Sequence, residues 1–294
     1  MAARCRRRYV RSSGQRRVGR YRERVAKVPG DETSGRAGGV VGEHVTVVRG
    51  GRVALRDASF ELRPGGVTAV IGPNGSGKTT LLHAVAGLVR PFEGRIRVDG
   101  PVAYVLQSAE VAEHLPISVR EVVTMGRYAV RGAFRPMRPV DHAAVDAAME
   151  RLEVADLASR QIRDLSGGQR QRALVAQGLV QEAPVLLLDE PVTGLDVVSH
   201  RLILDVIAEQ RAAGVAVVVT THDLGEAAHA DQVLLLSGRL VAAGPPEEVL
   251  VGEHLADAYG QRLVQIGDNV LMLDDAPHHA PDAGDVHPHP GHHH

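Results

Sequence analysis

The residues with the clearest chemistry are the stretch GPNGSGKTT, Gly72 to Thr80, in which Gly72, Gly77, Lys78 and Thr79 have the spacing Gly, four residues, Gly, Lys, Ser/Thr. The glycines let the main chain curl, so that N–H groups of Asn74, Gly75, Ser76, Gly77 and Lys78 point inward, beside the positive end of a following helix. Pro73 and Thr80 complete the loop, Lys78 supplies a point charge and Thr79 a hydroxyl for Mg²⁺. The chemistry is that of a nucleoside triphosphate site. A second stretch, PVLLLDEP, ends a buried apolar run with Asp189 and Glu190. Adjacent acids after a strand are ordinarily solvated. Next to a phosphate loop the spacing gives Asp189 to the metal through its water shell and Glu190 to the attacking water as general base. A third stretch, DLSGGQRQR (Asp164–Arg172), has no nucleophile; Ser166 predicts a helix N-cap, and the bare glycines after it predict either a plain capped turn or an anion site.

Elements must hold these loops in place. Thr68–Ile71, Val185–Leu188 and Val215–Thr220 are short runs of β-branched residues or leucine, expected as buried strands of a parallel sheet. Helical periods follow each one. In VDHAAVDAAMERLEV, Ala144, Val145, Ala148, Met149 and Leu152 share a face and Asp141 is expected to cap the start, while Ser118 and Glu121 have capping-box spacing. The expectation is an α/β fold with a parallel sheet and a helical insertion.

Composition sets outer bounds. The 294 residues are 44% hydrophobic and 23% charged, with a single cysteine, Cys5, which rules out an internal disulfide framework or a cysteine-based zinc site. No apolar run approaches the roughly 20 residues that span a bilayer. The net charge of −1 hides a division, because residues 1–24 hold ten arginines against one acid. That head is expected to be an arm without packed structure, or upstream coding sequence, rather than a contact for nucleic acid or anionic lipid; it has no secretory h-region. The last 21 residues, DDAPHHAPDAGDVHPHPGHHH, hold seven histidines, four prolines and four acids, a composition that builds no core. His278, His279, His287, His289, His292, His293 and His294 are borderline nitrogen ligands suited to Zn²⁺, Ni²⁺ or Cu²⁺. The alternative is an unselected polar extension ending in a purification remnant.

Taken together and in order, the phosphate loop, LSGGQ (Leu165–Gln169), LLLDEP (Leu186–Pro191), GLD (Gly194–Asp196) and THD (Thr221–Asp223) resemble the ATP-binding subunit of an ABC transporter. The resemblance implies a P-loop NTPase core with a small N-terminal antiparallel β part and an inserted helical subdomain. It divides the chain into an arm (1–42), an ATPase domain (43–250, helical subdomain about 108–172), an extension (251–273) and a tail (274–294). It also implies ATP and Mg²⁺ as cofactors, with ATP hydrolysis coupled to transport. In that family two copies pack head to tail, so that Ser166, Gly167, Gly168 and Gln169 of one copy close over ATP held by the other. Gln107, at the end of VAYVLQ, matches a glutamine that senses Mg²⁺ and water and joins the core to the helical subdomain. His222 matches the histidine that contacts the γ-phosphate, and Asp196 the residue that links the two sites. Arg49 stands where an aromatic residue usually stacks on adenine, and a guanidinium plane can stack in its place.

The segment LPISVREVVTMGRY (Leu115–Tyr128) resembles the helical subdomain of zinc and manganese importers. It implies a homodimer on the cytoplasmic face of a bacterial membrane beneath an integral permease, fed by an extracytoplasmic metal-binding protein, with zinc the first choice of cargo and manganese the second. Val111 to Tyr128 is then expected to border a groove for a permease helix, with Arg127 on that border. Nucleic acid is not an expected partner. The competing readings are the ATPase of another importer or of an exporter, a soluble ABC ATPase of translation or repair, and a metal-binding regulator. The last of these leaves five nucleotide motifs idle.

Overall fold

A computed structural model describes residues 38–106, 116–132 and 135–260, and the main-chain course of 263–266 and 270–273. Strands β1 (Val40–Arg49) and β2 (Arg52–Leu62) form an antiparallel hairpin around Gly50 and Gly51. β3 (Val67–Ile71) then enters the main sheet, and α1 (Lys78–Val85) follows it through the phosphate loop. β4 (Glu93–Val98) returns to pair with β1, giving a small antiparallel sheet in the order β2-β1-β4.

Beyond β5 (Val102–Val105) come the helices α2 (Val119–Arg131), α3 (Pro139–Arg151) and α4 (Gly167–Leu179), followed by β6 (Val185–Leu188). α5 (Val197–Ala212), β7 (Ala216–Thr220), α6 (Leu224–Ala227), β8 (Gln232–Leu236) and β9 (Leu240–Gly244) complete the main sheet. Its order is β5-β6-β7-β3-β8-β9, parallel except for β9. The short α7 (Pro246–Val249) and α8 (Gly252–Tyr259) precede a two-stranded ladder, β10 (Leu263–Ile266) with β11 (Val270–Leu273).

The strands are apolar throughout because both faces of the sheet are covered. Leu186 and Leu188 of β6, with Val217 and Val219 of β7, pack among α4, α5 and the helical insertion, around Met149, Leu174 and Ile203. The alternate residues Val185, Leu187, Ala216 and Val218 face the other way, against Leu81 and Leu82 of α1 and Val45, Val47 and Leu55 of the small sheet. α1 is thereby pinned between the two sheets, which fixes the loop in front of it. Removing a fully buried leucine such as Leu187 costs about 2–5 kcal/mol.

The capping expectations hold at two helices. Ser118 accepts from the Glu121 N–H at 3.3 Å and returns its own N–H to the Glu121 carboxylate at 2.7 Å. Asp141 caps the start of α3 from its third position and not as the N-cap residue. Arg138 is the N-cap of α3, and Asp141, three residues on, is fully buried and accepts the Arg138 N–H at 2.9 Å. The apolar stripe locates the helix but not its first residue; the guanidinium groups that surround Asp141 draw its side chain inward. Arg127 also departs from expectation. It is 5% exposed, bonds Asp141 through Nε and Nη2, and donates through Nη1 to the Val180 carbonyl at 2.7 Å. It ties α2 to α3 and α4 as a buried cation.

The boundaries also shift with packing. Val40, placed by sequence in the arm, is fully buried in β1, and Leu255, Ala258 and Tyr259 of the expected extension pack with Ala69 and Ile71 of β3. The arm's first 37 residues and the tail lie outside the described residues.

Candidate functional site

Four parallel strands, in the spatial order β5-β6-β7-β3, deliver their carboxyl ends to one edge of the sheet. Open α/β sheets bind ligands at that edge. β3 leads into the phosphate loop, β6 into Asp189 and Glu190, β7 into Thr221 and His222, and β5 toward Gln107. Gln107 itself lies outside the described residues, as does Leu115.

The loop is held in its curl by its own backbone. Gly77 takes φ 105°, and a Cβ there would sit 2.7 Å from the Ala54 carbonyl oxygen, so both conformation and space require glycine. The Ser76 N–H donates to Pro73 O at 3.0 Å, and the Gly238 N–H to Ser76 O at 2.8 Å. Lys78 Nζ donates back to Gly72 O at 2.8 Å and Pro73 O at 3.3 Å. The Ser76 hydroxyl is buried without a hydrogen-bond partner. Lys78 and Thr80 are buried, Thr79 half-buried, and Asn74 and Gly75 exposed. A cationic amine and an orphaned hydroxyl in a glycine-rich cradle fit a polyphosphate.

The acids at the end of β6 are placed by their neighbours. Asp189 is 5% exposed; Oδ1 accepts the Thr220 hydroxyl at 2.6 Å and Oδ2 the Tyr104 hydroxyl at 3.1 Å. Glu190 takes φ 46°, and its N–H donates to Thr220 Oγ1 at 2.8 Å. Thr221 Oγ1 donates to Glu226 at 2.6 Å and accepts the Asp223 N–H at 3.0 Å, while Asp223 caps α6. That loop carries His222, which is exposed.

Ser166 caps α4 as expected, accepting the Gln169 N–H at 3.2 Å and giving its own N–H to Gln169 Oε1 at 3.1 Å. Ser166 and Gly167 are exposed, whereas Gly168 is buried against the start of α5. There Asp196 accepts both the N–H (2.9 Å) and the hydroxyl (2.8 Å) of Ser199. The Ser199 N–H and hydroxyl hold the Asp196 carboxyl below the usual range. Arg49 ends β1 at the hairpin, in register with Arg52 and exposed, well placed to meet solvent or a planar group.

Sequence reasoning missed Thr220, Tyr104 and Ser199. Thr220 closes an otherwise apolar strand and is fully buried, and a buried hydroxyl at the exit of such a strand must find partners in the site. That was the available signal.

Fold and site together define a P-loop ATPase with an inserted helical subdomain. Residues 55–193 match the family described as ABC transporter. The manganese transport system ATP-binding protein MntA of Synechocystis is 39% identical over 220 residues, 71% of this chain and 85% of that one. The hemin import ATP-binding protein HmuV of Streptomyces coelicolor is 46% identical over 227 residues, 72% of this chain and 80% of that one. Among solved structures, a chain from an inward-facing ABC transporter described as of metal-chelate type superposes with a TM-score of 0.70. It is 27% identical over 81% of this chain and 98% of its own. The chain belongs to the ABC transporter family as an ATP-binding subunit, an ATPase whose hydrolysis is coupled to transport. Among the described residues no helix is long and apolar enough to cross a membrane.

Proposed function

We propose that this chain powers import of a transition-metal ion, working as a homodimer against an integral permease on the cytoplasmic face of a bacterial membrane. The observation that carries the cargo reading is the 39% identity with a manganese transport ATPase over most of both chains. Zinc, the first choice from sequence, shares that ligand chemistry, but the metal-ion relative named above is described as a manganese transport protein. The 46% identity with a hemin importer supports hemin as a second reading. An extracytoplasmic metal-binding protein completes the importer.

In hydrolysis, Gly72 to Thr80 wrap the phosphates and Lys78 turns from the loop carbonyls to the β- and γ-phosphates. The Thr79 hydroxyl and, through water, the Asp189 carboxylate would hold Mg²⁺, which would supply positive charge against the phosphates. The Asp189 oxygens each accept one hydroxyl and keep lone pairs for such water. Glu190 accepts the proton of the attacking water, Gln107 orients that water and His222 contacts the γ-phosphate. Ser166, Gly167, Gly168 and Gln169 of a second copy close the site, and Asp196 links the two. The head-to-tail arrangement is supported by the exposure of Ser166 and Gly167 beside Val197 (84%) and Val198 (59%), apolar residues that a second copy would cover. Arg49 stacks on adenine.

Reconstitution with the permease in vesicles tests the cargo. ATP-dependent uptake of manganese or zinc but not hemin is the expected result; hemin uptake without either metal selects the second reading.

A further inference from the structure

We propose that Thr220 is a positioning residue for ATP hydrolysis, a single hydroxyl that sets the carboxylate of Asp189 and the backbone of Glu190 at the same time. The inference rests on the reading that these two acids serve hydrolysis. Thr220 is the last residue of β7 and is fully buried behind the edge where the nucleotide loops converge. Parallel pairing of β7 with β6, Val219 opposite Leu188, carries Thr220 alongside Asp189. Its hydroxyl donates to Asp189 Oδ1 at 2.6 Å and accepts the Glu190 N–H at 2.8 Å. A hydroxyl has one donor and two acceptor sites, so one group can satisfy both neighbours, and no apolar isostere can do either.

The second bond has a particular task. Glu190 sits at φ 46°, in the left-handed region that a residue with a Cβ adopts only under constraint. Its N–H bond to Thr220 supplies that constraint, turning the chain so that the Glu190 side chain leaves the strand at the sheet edge. Without it, the Glu190 N–H and one Asp189 oxygen each lose that hydroxyl as a partner. Asp189 keeps a second tether, the Tyr104 hydroxyl on Oδ2 at 3.1 Å. The Asp189 carboxylate therefore keeps one partner when the Thr220 hydroxyl is lost.

The test compares Thr220→Val, which keeps the shape, with Thr220→Ser, which keeps the hydroxyl, in the full chain with its permease. A displacement of the base by about 1 Å costs on the order of 10²-fold in rate, so Thr220→Val should lower kcat roughly 10–100-fold. Its KM for ATP and its Mg²⁺-free nucleotide affinity should stay within about twofold of the parent. Thr220→Ser should recover most of kcat. In a Glu190→Gln background, Thr220→Val should subtract little more, because the group it positions is already gone. Tyr104→Phe should instead raise the Mg²⁺ concentration needed for half-maximal rate, with a smaller effect on kcat. Melting curves select variants that keep the native transition, with Thr220→Ala replacing Thr220→Val if valine unfolds the chain. The proposal is overturned if Thr220→Val and Thr220→Ala leave kcat within about twofold while Glu190→Gln abolishes turnover, or if Thr220→Ser loses as much as Thr220→Val. Normal turnover in Glu190→Gln overturns the underlying reading of the acids, whatever Thr220 does.

Discussion

Gly167 and Gly168 are adjacent and equally bare, yet their surroundings differ. A Cβ on Gly167 meets nothing within 4 Å, whereas one on Gly168 strikes Asp196 Oδ2 and lies 2.5 Å from Ser199 Oγ. Gly168→Ala therefore has to push α5 away or break the cap on its first turn, and overpacking of this kind costs about 1–3 kcal/mol. Gly167→Ala should leave stability within about 0.5 kcal/mol, as surface substitutions do. Thermal unfolding of the two variants checks the contrast; equal midpoints would refute it. At Glu190 the expected effect is chemical. Glu190→Gln should bind MgATP with near-parental affinity and lose roughly 10²–10⁴-fold in hydrolysis, the share a general base supplies. Lys78→Ala should weaken nucleotide binding itself, and fluorescent-nucleotide titration beside steady-state turnover separates the two.

Three helices of the insertion are joined at one buried carboxylate. Asp141, on α3, receives Arg127 and Arg131 from α2 and the Arg138 side chain and N–H, while Arg127 also reaches the Val180 carbonyl just past α4. Burial by itself raises the Asp141 carboxyl; hydrogen bonds from Arg127, the Arg138 N–H, Arg131 and the Arg138 side chain more than reverse it and hold it well below the usual range. A carboxyl lowered on folding stabilises the fold above its unfolded value of about 4, and that contribution disappears as pH falls through the folded value. Acid unfolding followed by circular dichroism should begin below about pH 4, and Asp141→Asn should flatten that limb while lowering stability at neutral pH. An unchanged acid limb would place the titration elsewhere. The same elements show what sequence could and could not give. Period and run length found α3, β6 and β7 because one-dimensional apolar patterns record which face is buried. Cap residues found α2 and α4 through Ser118 and Ser166, whose partners lie three residues away. The guanidinium groups gathered at Asp141 and the role of Thr220 were missed because Arg127 lies 14 residues from Asp141 and Asp189 lies 31 from Thr220, and only the fold brings them together. The phosphate loop, the acid pair and LSGGQ were legible as contiguous stretches with local geometry.

The two proposed contacts beyond the single chain can each be tested. Because Arg127 is an internal tie, a charge reversal there would damage the insertion, and the proposed permease contact of α2 is better probed at Met125, which is 42% exposed. Met125→Glu should lower uptake in reconstituted vesicles at least severalfold while the isolated subunit keeps its ATPase rate, since an unpaired carboxylate buried in an apolar contact is costly. Equal loss of both activities would remove α2 from the interface. The head-to-tail dimer has a sharper test by complementation. If Ser166 serves the nucleotide bound to the other copy, each composite site takes Glu190 from one chain and Ser166 from its partner. A dimer with Glu190→Gln on one chain and Ser166→Arg on the other then concentrates both lesions in one site and leaves the second intact. A dimer with both changes on one chain and a parental partner has no intact site. Mixing two inactive homodimers, one of each variant, should therefore restore hydrolysis, while mixing the double variant with the parent should dilute activity without rescue. Were Ser166 to act on its own chain's nucleotide, the outcomes would exchange, because separate lesions would then spoil both sites and a doubly altered chain would spare its partner. Dimers of parental and Glu190→Gln chains calibrate the assay by giving the rate of a single intact site.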